Sequence, residues 1–509
     1  MNKPTEKTPV VPRKFLIPFI LVTSLFALWG FANDVTNPLV AVFKDVFVIN
    51  NAQSTWVQMA FYGGYATMAI PAALFIRRFS YKSGILVGLA LYATGALLSI
   101  PAAAAANFNL FIIALYVLTF GLAFLETTAN PYILSMGPEE TSTRRLNLAQ
   151  AFNPIGSLTG MFIAGTVILS AIQVEDFKTD IAGYTSDKIP QESKTAKYNI
   201  PALLQAKPRE RVNDANVMAY IDSLTDEQLK GDSTSLVDFK DGKIATFQGK
   251  THRELQQSDL KLVALPYIAI GCVVIGVLVV FALAKMPKTG TGADYADLNF
   301  GGTVNRLFKN PMYVGGVIAQ TFYVGAQIMC WTFIIQYAEN ELGIDKATAQ
   351  NFNIMAMVIF LCSRFICTFF LKYISPSKLL LILSAGAIVF TLGAIHMQGL
   401  AGLYSLVLVS ACMSLMFPTI YGLALDGVGE DAKLGSAGLI FAIVGGVVMT
   451  RFQGQIMDLD GFMGTTATRG SFYLVVLCFV IIAIYGSLGT RLKRKVDPSR
   501  IIEGEGYSA

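Results

Sequence analysis

The chain has 509 residues, of which 54% are hydrophobic and 14% charged, and its mean hydropathy is +0.54. Soluble proteins carry about a quarter charged residues, so this composition excludes a soluble globular protein and indicates an integral membrane protein. The net charge of +5 lies mostly in short loops, where it reports membrane topology rather than nucleic-acid binding.

Residues 1–13 are polar and include Lys3, Lys7 and Arg13. Apolar spans follow near 15–40, 53–76, 84–105, 109–136, 147–172, 261–286, 311–337, 349–372, 378–396, 400–426, 434–456 and 471–490. Each is long enough to cross a ~30 Å hydrocarbon core as a helix. The first run, residues 15–43, exceeds a signal-peptide core and has no small-residue cleavage site after a short one, so it is read as a span. Loops after the even spans carry Arg77, Arg78 and Lys82; Arg144 and Arg145; Lys285, Lys288, Arg306 and Lys309; Lys372 and Lys378; and Arg491, Lys493, Arg494 and Lys495. The short loops between are nearly free of Lys and Arg. By the positive-inside bias both termini are expected on the cytoplasmic side of an inner membrane.

The expected organisation is an N-terminal half over 1–172 with five spans and an external loop over 173–260. Span six follows over 261–286, a cytoplasmic linker over 287–310, and a C-terminal half with its tail over 311–509. In the external loop, 213–229 reads as a helix and Phe239-Lys240-Asp241-Gly242-Lys243 as a hairpin. A small folded cap and a disordered insertion are equally open there.

An internal repeat is visible. Pro131 in span four, the loop at 137–141 and Gly156 in span five recur as Pro418, the loop at 429–433, and Gly445 and Gly446 in span eleven. Arg77–Lys82 is echoed by Lys372–Lys378. Matching order predicts two pseudo-symmetric six-helix halves, as in secondary transporters with parallel repeats.

The residues that stand out chemically are the ones a bilayer penalises. Within the stretch GLAFLETTANPYILSMG, residues 121–137, Glu126 is the one ionisable group, with Asn130 a turn further on. A charge deep in a membrane helix costs about 2.5–3.5 kcal/mol on insertion scales. Low dielectric penalises the carboxylate against its neutral acid, so Glu126 is a candidate proton carrier. In span one, Asn33, Asp34 and Asn37 share one helix face, with Asp34 near the outer end where the penalty is smaller. Span five carries Asn147, Gln150 and Asn153 as a drifting polar stripe. Span seven carries Gln320, Tyr323, Gln327 and Trp331 on a tighter face. Gln58 and Tyr62 in span two, Asn351 and Asn353 in span eight, and Tyr421 in span ten add to the set.

Singly, each amide serves equally well as glue between helices. Together they form a cavity lining of uncharged donors and acceptors with aromatic planes, which suits a neutral polyol: amides satisfy hydroxyls, and Trp331 or Tyr323 covers a sugar ring. An organic anion asks for a central cation, and Arg364 and Arg451 are read as snorkelling near span ends. The six cysteines lie in apolar runs without metal-ligand spacing, and His252 and His396 are far apart. No enzyme, catalytic residue, metal or cofactor is expected.

At FALWGFAN (26–33), LETTANP (125–131), RLNLAQ (145–150), YVGAQ (323–327) followed by Cys330-Trp331, and FPTIY (417–421), the sequence resembles the fucose permease branch of the major facilitator superfamily. The likeness covers nearly the whole chain outside 173–260. It implies an all-α membrane protein of twelve transmembrane helices in two halves, alternating access, and sugar uptake driven by a proton gradient. It further implies a working glutamate on span four, matched by Glu126, and an acidic residue on span one. At that family position this chain has Asn37, with Asp34 one turn earlier. The expected partners are a sugar, a proton and membrane lipid, with no nucleic acid, and the expected state is a monomer. An exporter of a small polar solute and a non-transporting sugar sensor are the rival readings.

Overall fold

The computed structural model describes residues 9–49, 51–164, 168, 171–188, 211–224, 234–287, 300–344 and 346–496. Span one is α1 (Leu16–Phe47), span two α2 (Asn51–Arg78), span three α3 (Tyr81–Leu97) continued by α4 (Ser99–Ala104), and span four α5 (Phe108–Leu134). Span five is split into α6 (Ser142–Gln150) and α7 (Asn153–Ile163). Three helices follow outside the bundle, α8 (Gln173–Lys188), α9 (Ala215–Ser223) and α10 (Thr234–Lys240), before span six, α11 (His252–Leu283). The linker carries α12 (Phe300–Lys309).

The second half repeats the plan. Spans seven to nine are α13 (Pro311–Leu342), α14 (Lys346–Phe370) and α15 (Pro376–His396). Span ten is α16 (Leu400–Met413) with α17 (Met416–Ala424), and span eleven is α18 (Ala432–Phe441) with α19 (Gly445–Met457). Span twelve is α20 (Ala467–Ser471) with α21 (Tyr473–Val496). Among the described residues eleven spans are long and apolar enough to cross a membrane. The remaining one is span five, whose two pieces are each short.

Lipid tails are as apolar as leucine, so helices here associate by close fit rather than by exclusion from water. A Cβ built at Gly156 on α7 would lie 1.8 Å from the Ala27 carbonyl oxygen on α1. One at Gly445, where α19 begins, would lie 2.1 Å from the Thr321 carbonyl oxygen on α13. Only glycine permits either approach. The same device therefore packs span five on span one and span eleven on span seven, which is the repeat expressed in three dimensions.

The halves meet firmly toward the end that carries the basic loops. Asn147 Nδ2 donates to Thr419 Oγ1 at 3.3 Å, and Ser436 Oγ donates to the Thr127 carbonyl at 3.2 Å. Lys433 Nζ stands 5.4 Å from the Tyr81 ring centroid. All three contacts join one half to the other.

The opposite end carries α8 to α10. Among its described residues this segment has a small core of its own: Phe177 is fully buried and stacks on Phe239 at 4.8 Å, with Phe247 edge-on at 5.4 Å. The Asp259 carboxylate of α11 accepts the Gln173 and Val174 N–H groups at 2.9 and 3.0 Å, capping α8. Lys178 pairs with Asp45 of α1 at 2.8 Å. α11 begins at His252, well before the apolar run at 261, because Thr251 and Glu254 form a capping box.

Two expectations change in detail. The helix read over 213–229 runs Ala215–Ser223, started by the Asp214 side chain; 225–233 lie outside the described residues. The hairpin read at 239–243 is a helix end, where the Lys243 N–H returns to the Asp238 carbonyl at 2.9 Å across Gly242, φ +83°. Asp-Gly serves a helix C-terminus as readily as a hairpin turn. Phe177→Ala is expected to destabilise this cap by about 3–5 kcal/mol. Limited proteolysis should cut the variant within 173–188, 211–224 or 234–251 under conditions where the parent keeps those stretches uncut.

Candidate functional site

A cavity of about 130 Å³ lies between the halves and is lined from both. The N-terminal half contributes Trp29, Asn33 and Asp34 on α1, Tyr62 and Tyr65 on α2, Glu126 on α5, and Gln150 and Asn153 at the α6–α7 break. From the other half come Gln327 and Trp331 on α13, Phe360 and Arg364 on α14, and Phe417 on α17.

Glu126 is 6% exposed, and its Oε1 accepts the Tyr65 hydroxyl at 3.1 Å. Among the described residues the neutral Tyr65 hydroxyl is the hydrogen-bond donor recorded beside this carboxyl. Asp34 is 4% exposed and lines the same cavity, so it is buried as deeply as Glu126 rather than nearer water. On the next helix, Gln150 Nε2 donates to Asn130 Oδ1 at 2.9 Å; Asn130 sits behind Gln150 and is fully buried. Asn153 Nδ2 reaches the Phe26 carbonyl at 3.2 Å, fixing α7 to α1. Trp331 stands edge-on to Phe360, with centroids 5.1 Å apart, and its Nε1 donates to Ser410 Oγ at 3.2 Å.

The polar stripe of span seven is divided by depth. Gln327 and Trp331 line the cavity, whereas Gln320 and Tyr323 are fully buried outside its lining, with the Tyr323 hydroxyl on the Met413 carbonyl at 3.1 Å. Seven residues of helix set Gln320 about 10 Å below Gln327, toward the basic end where the halves close. Tyr421 and Asn353 are likewise absent from the lining. The side chains of Asn37 and Gln58 lie outside the described residues.

One reading is overturned. Arg364 does not snorkel: it is 3% exposed, lines the cavity, donates from Nε to the Ser414 carbonyl, and donates from NH1 to the Gln150 carbonyl at 2.9 Å. Depth along a span says how far a side chain must reach for water, not which way it faces, and α14 turns this face inward. Arg451 is exposed. Sequence reasoning also missed Tyr65, since a tyrosine among small and apolar residues on α2 carries no signal of its own.

Residues 20–174 match the family described as the Major Facilitator Superfamily. The chain is 48% identical over 477 residues to the L-fucose-proton symporter of Haemophilus influenzae, covering 94% of this chain and 97% of that one. It is 32% identical over 476 residues to the L-fucose-proton symporter of Escherichia coli K12, covering 93% of each. In three dimensions it is similar to the crystal structure of a Major Facilitator Superfamily transporter, FucP, in the outward conformation. That match has a TM-score of 0.73 and 30% identity, over 94% of this chain and 99% of that one.

Proposed function

The chain belongs to the fucose permease branch of the major facilitator superfamily, and we propose that it is a sugar:proton symporter of the inner membrane, taking up L-fucose or a related hexose by alternating access. It is a transporter and not an enzyme. The observation that carries the reading is the buried Glu126–Tyr65 pair in a cavity walled by amides and aromatic rings from both halves.

In this cycle Glu126 takes a proton from the open side, which removes a charge from the cavity and lets a neutral sugar settle among Asn33, Gln150, Asn153 and Gln327. Trp331 covers the apolar face of the ring. The halves then rock, the basic end opens, and sugar and proton leave on that side. Polar atoms beneath the cavity support such an exit. Among the described residues, Thr127 Oγ1, Asn130 Nδ2 and Asn147 Oδ1 are buried without a hydrogen-bond partner in the closed arrangement. The basic loops favour that end as cytoplasmic, with both termini there. The cavity lies within a single chain, consistent with a working monomer. Arg364 commits two of its five N–H donors to backbone carbonyls and keeps its positive charge at the cavity wall, so anionic hexuronates belong in the test beside neutral sugars.

The test is counterflow in proteoliposomes against a panel of labelled hexoses, deoxyhexoses and hexuronates. Exchange of neutral sugars alone supports the reading; exchange confined to hexuronates defeats it. Trp331→Ala is expected to weaken sugar binding by about 1–3 kcal/mol through lost aromatic cover. An unchanged affinity in calorimetric titration would return Trp331 to packing.

A further inference from the structure

The two carbonyls held by Arg364 have a common origin. In a regular helix the carbonyl of residue i accepts from the N–H of residue i+4. For Gln150 that residue is Pro154, and for Ser414 it is Pro418, and proline has no N–H. Spans five and ten are broken at these points, one in each half, at α6–α7 and α16–α17. Each break leaves a carbonyl without its intrahelical donor in surroundings closed to water, where an unmade hydrogen bond is expensive.

One guanidinium serves both. Arg364 Nε donates to Ser414 within its own half, and NH1 donates to Gln150 across the seam at 2.9 Å. The planar fork suits two acceptors at fixed spacing better than an ammonium does. The ring of Phe360, 4.6 Å from the guanidinium carbon, supports it from the same helix. Gln150 is also the residue whose side chain reaches Asn130, one turn from Glu126 on α5.

We propose that Arg364 is a latch. It holds the halves together on the basic side of the cavity by supplying to Gln150 the hydrogen bond that Pro154 withholds. Its bond to Ser414 lies within one half and survives rocking; its bond to Gln150 exists only while that side is closed. Arg364 is thus a positioning residue that sets the balance between the two conformations. This rests on the alternating-access reading above, but its test reads conformation rather than transport.

Spin labels at Glu139 and Lys372, exposed at the basic end of either half, would report the gap by double electron–electron resonance. The exposed Cys272 and Cys362 are replaced first. Arg364→Gln is expected to shift the equilibrium toward the wider distance by about 10–150-fold, the worth of one hydrogen bond to a charged donor. Pro154→Ala leaves Arg364 in place but returns an N–H to Gln150, and should shift the distances the same way. The double variant should show no further shift, since both remove one interaction. Should Arg364→Gln fold poorly, Pro154→Ala alone decides. An unchanged distribution in either single variant, or shifts that add, would overturn the latch. Wild-type counterflow, measured separately, tells failure of the latch from failure of the transport reading.

Discussion

Glu126→Gln is expected to abolish proton-driven sugar accumulation while leaving sugar exchange intact. Glutamine keeps the shape of the protonated acid and an oxygen for the Tyr65 hydroxyl, so the cavity remains formed. It cannot release or take a proton, so the gradient loses its handle on the cycle. At an imposed 100 mV one coupled charge is worth about 2.3 kcal/mol, an accumulation ratio of roughly 50. The variant should accumulate to a ratio of about 1 under the same imposed force, and its binding should lack the pH dependence expected of the parent. Accumulation and counterflow in one vesicle preparation separate coupling from binding. If Asp34→Asn rather than Glu126→Gln removes accumulation, the proton is carried on α1.

Arg145→Ala is expected to be strongly destabilising. Arg145 is fully buried, and its guanidinium gathers the end of α5. Nε donates to the Ile133 carbonyl at 2.8 Å, NH2 to Leu134 at 2.5 Å, and NH1 to Val10 at 3.0 Å and Thr141 Oγ1 at 3.1 Å. The last carbonyls of a helix have no intrahelical donors, and here one side chain supplies them while tethering the N-terminal segment. Removal takes the side-chain donor from the Leu134 and Val10 carbonyls, while Ile133 keeps the Met136 N–H at 3.2 Å, and it leaves a void where a fully buried side chain stood, for a loss of about 3–5 kcal/mol. Thermal unfolding in detergent, followed by a thiol-reactive dye on the buried Cys330 and Cys478, reads the change directly. Arg145→Lys should recover part of it, since an ammonium reaches fewer of these oxygens.

The parts legible in the sequence are those that depend on composition along one helix. Apolar runs mark the spans because nothing else satisfies backbone groups in lipid. Glu126 stands out as a lone charge in such a run. Gly156 and Gly445 mark corresponding places because each sits where two backbones nearly touch. What depends on the neighbouring helix is not legible in that way. Gln320 and Gln327 share a face, yet only the second meets the cavity, because the halves converge below it. Arg364 has the same apolar flanks as a snorkelling arginine. The clue to it lay elsewhere, in Pro154 and Pro418, each orphaning a carbonyl four residues back that some buried donor had to meet. The Asp-Gly of the outer segment was ambiguous for a local reason, since helix ends and hairpins use the same left-handed turn.

The most direct test of the central claim is the movement of protons with sugar through the unaltered protein. Proteoliposomes with no imposed gradient and a weakly buffered medium are given L-fucose, then other neutral hexoses, while external pH is recorded in sodium-free buffer. The account predicts that a transported sugar alkalinises the medium, that a protonophore abolishes the signal, and that Glu126→Gln does not produce it. Sugar entry without any pH change, or entry that requires added sodium, would contradict it.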